Sequence, residues 1–258
     1  MSVTALGRSG STERQLTAVV LAAAAAAWVL TASRMAGMDA GPGTELGSVG
    51  WFGVSWLVMT AAMMLPAAAP MLATYGRRVV RADATGAFAG AYLLMWLAAG
   101  LVAYAAIEAV GALHLGFLDW GSGGRYAAGG VIVFAGLYQL TAAKEGCLRQ
   151  CRDGRLFLHE HWRPGRVGAL RMGLAHGGYC IGCSWALMAT LFALSVMSLT
   201  WMAIIALLIA AERLLDRRAR LVVALVLVVL GAWVALAPGD VPSLTVPGSQ
   251  PMHEMQRD

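Results

Sequence analysis

His176, Cys180 and Cys183 stand in one short segment, His176-Gly177-Gly178-Tyr179-Cys180-Ile181-Gly182-Cys183-Ser184-Trp185. On a 3.6-residue helix their positions fall within an arc of roughly 60°, so one imidazole and two thiols converge on a single face. Soft sulfur ligands with an imidazole suit Cu(I) or Zn(II), copper ahead of zinc, whereas an oxygen-rich cage would suit Mg or Ca. The same residue types also serve plainer ends. Buried Cys and Met are adaptable packing residues, and Gly173, Gly177, Gly178 and Gly182 would equally mark a close helix crossing.

Further ligands come from other segments. Met59-Thr60-Ala61-Ala62-Met63-Met64-Leu65-Pro66 places Met59 and Met63 one turn apart. Glu212 is the one acid in an apolar stretch from about residue 200. Cys147 and Cys151, again one turn apart, lie among basic residues and would make an entry or relay site for a soft metal; a solvated basic loop with idle thiols is the alternative. His159 and His161 read as part of that loop.

The elements that position these groups are membrane helices. The chain has 258 residues, 59% of them hydrophobic and 13% charged, with a mean hydropathy of +0.67, which no water-soluble domain matches. Long uncharged runs, without strand-like alternation, predict an all-α polytopic bundle. Seven spans are expected, at about 15–33, 50–74, 86–112, 126–143, 173–196, 200–214 and 219–237. The expected division is an N-terminal tail and first span (1–34), a metal-binding bundle (35–237) and a disordered tail (238–258) rich in Pro and polar residues. The first span also resembles a secretory signal, and its cleavage would leave six spans.

Basic residues set the orientation. With these spans all of the 19 Lys and Arg residues fall on one side except Arg34, Arg125 and Arg257, which puts the N-terminus in the cytoplasm and the C-terminus outside. The net charge of +5 then reports topology and contact with the lipid bilayer, not nucleic acid. An ionisable side chain in hydrocarbon is costly and by default functional. His176, Cys180, Cys183, Met63 and Glu212 all reach the cytoplasmic half of the bundle.

Four segments together resemble a bacterial family of predicted metal-binding integral membrane proteins, long catalogued as a domain of unknown function. They are Trp56 to Pro66, Tyr138-Gln139 through Lys144 to Cys151-Arg152, His176 to Trp185, and Met197 to Glu212. The resemblance covers about residues 50 to 215. It implies a multi-pass protein of the bacterial inner membrane that binds a metal, with a link to copper. Family members usually carry a further Cys after the position of Cys183; here Ser184 stands there, which argues against a site built on that third thiolate.

Three functions stay open. The first is binding of a soft metal for trafficking, insertion or transport, with a metal donor or acceptor protein as partner. The second is a redox metalloenzyme of the membrane. The third is a thiol–disulfide oxidoreductase using Cys147/Cys151 and Cys180/Cys183, which the reducing cytoplasmic side disfavours. Because all depth assignments rest on orientation, a reporter fused after Asp258 is expected to be active outside the cytoplasm and one fused after Arg155 inside. Reversed activities would remove the basis for a cytoplasmic-side metal site.

Overall fold

The computed structural model describes residues 3–35, 47–79, 82–113, 123–195, 198–215, 217–242 and 244. Within them the chain forms α1 (Val3–Met35), α2 (Val49–Arg78), α3 (Ala82–Ala112), α4 (Arg125–Tyr138), α5 (Ala142–Arg152), α6 (Gly154–His161), α7 (Gly165–Leu194), α8 (Leu199–Leu214) and α9 (Arg217–Leu236). No strand occurs among the described residues, so the expected all-helical bundle is what forms. Most of the C-terminal tail expected to be disordered, residues 245–258, lies outside the described residues.

Local sequence explains where the helices start and run. The alanines from 22 to 27 give α1 its propensity. Ser48 and Ser198 cap α2 and α8 by accepting from the backbone N–H of Trp51 and Trp201. α7 lies at the hub, touching α3, α4, α5 and α8, while α2 packs on α1, α3 and α8.

The span count differs from the sequence reading. Among the described residues five helices, α1, α2, α3, α7 and α9, are long and apolar enough to cross a membrane, and a sixth span results if α4 and α5 are counted together. That pair is bent by 67°, so the span expected at 126–143 stops at Tyr138 and the chain changes direction. Thr141 then caps α5 through Lys144 N. α8 has 16 residues, about 24 Å of helix, short of a hydrocarbon core of about 30 Å. These features are compatible with a multi-pass membrane protein.

Glycine sets how closely the helices approach. A Cβ on Gly129 of α4 would lie 2.5 Å from the carbonyl oxygen of Gly231 in α9, and one on Gly231 would lie 2.7 Å from the Gly129 carbonyl. Backbone cannot yield as a side-chain tip can, so this crossing accepts no side chain at either position. On α7, Gly173 meets the Phe88 backbone and Gly177 meets the Met95 side chain. Gly129→Val is therefore expected to cost about 2 kcal/mol, a fall of roughly 4–8 °C in the Tm of the detergent-solubilised protein. Gly130→Ala, which meets nothing within 4 Å, is the control and should leave Tm in place.

Candidate metal centre

The 67° bend between α4 and α5 folds α5 onto α7. Two contacts hold the bend: Tyr138 donates its hydroxyl to Gly182 O at 2.6 Å, and Gln139 Nε2 donates to Ala135 O at 3.0 Å. The last turn of α5 thereby brings Cys151 to the face of α7 that carries Cys180 and Cys183. All three thiols are free and buried. Cys151 Sγ is 3.8 Å from Cys183 Sγ. Cys180 and Cys183, three residues apart, are neighbours on one helix face, and Cys183 donates to Cys180 O at 3.2 Å.

A cation lies against these sulfurs. Arg213, in the last turn of α8, donates from Nη2 to Cys180 Sγ at 2.9 Å and to Cys183 Sγ at 3.5 Å, and from Nη1 to Ala67 O at 3.1 Å. Tyr92 of α3 closes the other side, its hydroxyl 3.0 Å from Cys180 Sγ and 3.3 Å from Met64 O. Ser184 Oγ is 3.4 Å from Cys183 Sγ. Among the described residues no three His, Cys, Asp or Glu side chains stand ready to hold a metal ion; the guanidinium occupies the place beside the sulfurs.

The other sequence candidates are distributed around this cluster. His176 is fully buried and neither ring nitrogen has a partner. Its ring packs among those of Phe88, Tyr92 and Phe157, at centroid distances of 5.9, 5.6 and 5.2 Å. Met63 is buried and lines a cleft of about 600 Å³ with Trp28, Pro66, Ala67, Cys151 and Arg213. Met59 is buried in the core one turn earlier. Pro66 and Pro70 have no N–H, which leaves the carbonyls of Ala62 and Pro66 without their usual helical donors beside this cleft.

Cys147 and Cys151 are separated by the fold. Cys147 packs its sulfur on Gly182, where a Cβ would lie 2.6 Å from it, whereas Cys151 joins the α7 thiols. Glu212 turns to the bend instead: its Oε2 takes Lys144 Nζ at 2.6 Å, with both side chains buried. Gln139 Oε1 also accepts from Lys144, and Arg152 Nε donates to Glu212 O at 2.8 Å. His161 packs flat on Phe157 with ring centroids 4.6 Å apart, and its Nε2 is 3.4 Å from the Tyr179 hydroxyl.

Arg213 and Tyr92 belong to the cluster and were not legible as site residues. Arg213 served the sequence reading as a topology marker. The available signal was its place directly after Glu212 at the end of an apolar helix. Tyr92 carries no signal in sequence.

No curated protein and no solved structure matches the chain. Residues 53–236 match the family PpoB2, described as a copper chaperone, a stretch that runs from Gly53 in α2 to the end of α9 and takes in all the side chains of the thiol cluster. The chain belongs to this copper chaperone family.

Proposed function

We propose that the protein is a membrane-embedded copper chaperone that holds Cu(I) on Cys180 and Cys183, with His176 and Cys151 completing the ligand set. The observation that carries the reading is the convergence of three reduced, buried thiols from two helices on one point beside a cation. Two sulfurs bound at about 2.3 Å to one tetrahedral ion lie roughly 3.8 Å apart, the separation of Cys151 and Cys183. Thiolates are soft donors, which favours Cu(I) among the first-row metals available to a cell.

His176 supports the same reading. A buried polar group without a partner demands an explanation, and this imidazole sits one helical turn before Cys180 with both nitrogens unpartnered. A metal shared with Cys180 supplies what the ring lacks. Copper is cargo here: the cleft beside Cys151 and Met63 gives a route between the thiols and a donor or acceptor protein, with thioether and thiol as successive soft contacts. The apolar helices and the basic asymmetry support a membrane setting with the thiols in the cytoplasmic half.

Thiol–disulfide exchange is the competing use of the same sulfurs, and the variants separate the two. Cys180→Ser, Cys183→Ser and His176→Ala should each lower the Cu(I) content of the anaerobically purified protein from about one equivalent to under roughly a fifth of one, because each removes a ligand atom. Cys147→Ser, which packs on Gly182 away from the cluster, should leave it unchanged. Full copper retention in His176→Ala, with activity lost only in the cysteine variants, would make the protein an oxidoreductase instead. Acidification should release the metal, since protons compete for thiolate and imidazole.

A further inference from the structure

Two imidazoles share one aromatic contact, and the copper reading uses only the inner one. Phe157 of α6 is fully buried. Its ring stacks on that of His161, with centroids 4.6 Å apart and an interplanar angle of 10°, and meets that of His176 edge-on at 5.2 Å and 75°. His176 is fully buried with both nitrogens unpartnered. His161, in the last turn of α6, is half-buried and is followed by the exposed Trp162. One phenyl ring thus touches both an imidazole at the surface and one that has no access to it.

The hydrogen bonds of His161 fix which nitrogen is available. Its Nδ1 lies 3.2 Å from Phe157 O. A carbonyl only accepts, so Nδ1 carries the proton and donates, and Nε2 of the neutral ring keeps its lone pair. Metal-binding histidines have this arrangement, with the second nitrogen tied to a backbone carbonyl. The Tyr179 hydroxyl donates to Nε2 from 3.4 Å, longer than a strong hydrogen bond, so an incoming ligand partner displaces it at little cost. A histidine retained for stacking alone would need its ring but not an open Nε2.

We infer that His161 is the loading port of the site: its Nε2 takes Cu(I) from a cytoplasmic donor and passes the ion beyond Phe157 to His176. The inference rests on the copper reading above and deepens it, adding a ligand used in transit and absent from the resting complex. Copper stays Cu(I) throughout. A Cu–N bond forms at His161 Nε2 as a ligand of the donor leaves, and it breaks as His176 binds. Phe157 has to swing aside for this, and an aromatic ring is a favourable neighbour for a passing cation. The approach is separate from the cleft at Met63 and Cys151, which also runs past Trp28, Ala67 and Arg213. His161 and Phe157 belong to α6, and His176 to α7. A chaperone that both receives and delivers its ion is served by two approaches to one cluster.

The test separates the rate of loading from the amount loaded. Full-length protein in detergent is mixed anaerobically with Cu(I) bicinchoninate, and loss of the chelate's colour is followed by stopped flow. The equilibrium copper content is then measured on the same samples, with thermal melts to verify folding. His161→Phe keeps a ring on Phe157 but has no ligand atom; it should load about tenfold more slowly, a change of about 1.4 kcal/mol in the barrier, and reach the wild-type content. His161→Met restores a soft donor and should load within about threefold of the wild-type rate. His159→Ala, at an exposed position two residues away, should load as wild type does. A His161→Phe variant that loads at the wild-type rate, one that ends with less copper, or a Met variant as slow as Phe would each overturn the inference while leaving copper binding intact. Wild-type protein that takes up no Cu(I) would overturn the copper reading itself, and this inference with it.

Discussion

The contact on which the rest of this structure depends is that between one guanidinium and a group of buried thiols. Neither partner is at ease alone in an apolar bundle: a charge removed from water without compensation costs several kcal/mol, and removing one partner of a buried pair costs about 3–5 kcal/mol. Arg213 is a cation with no described carboxylate, and Cys180 and Cys183 are the polarizable groups nearest to it. The helices that deliver these side chains must meet at a fixed distance. Gly173 and Gly177 permit that approach by letting α7 close on α3, and Tyr92 uses the resulting proximity to reach Cys180.

The break between α4 and α5 has the same purpose seen from the other side. A straight helix from Arg125 to Arg152 would carry Cys151 far from α7. The 67° bend returns it, and Gly182 accommodates Cys147 as α5 closes on α7. The freed backbone at the bend is satisfied locally, by Gln139 on Ala135 O and by Thr141 on Lys144 N, as a nonaqueous setting requires. The buried Lys144 is the cost of this arrangement, and Glu212 offsets it.

How much of this was legible in the sequence follows from which signals are local. Helices and their approximate ends follow from apolar runs and caps, and the Cys180/Cys183 pair from its spacing on one helix. Cys151 does not, because its position depends on a bend at Gln139–Thr141 that contains neither Pro nor Gly. Treating Cys147 and Cys151 as a unit was natural at i, i+4, but one faces Gly182 and the other faces Cys183. Span shape is less local than span existence: hydropathy measures apolar length, and α8 and the α4–α5 pair depart from straight spans in length and direction. Glu212 drew notice as a solitary acid, while Arg213 beside it was absorbed into a charge count.

Glu212 and Arg213 show why the two must be considered together. Successive helical residues point about 100° apart, so the last turn of α8 sends its carboxylate toward the α4–α5 bend and its guanidinium toward the thiols. Were the two charges to pair with each other, Lys144 would be buried unpaired and the sulfurs would lose their cation. Lys144 prevents this by engaging Glu212, and Arg152 reinforces the arrangement from the Glu212 carbonyl. The ion pair at the bend and the cation at the thiols are thus one device: the first holds α5 in the pose that presents Cys151, and by occupying the acid it leaves Arg213 free to face the sulfurs.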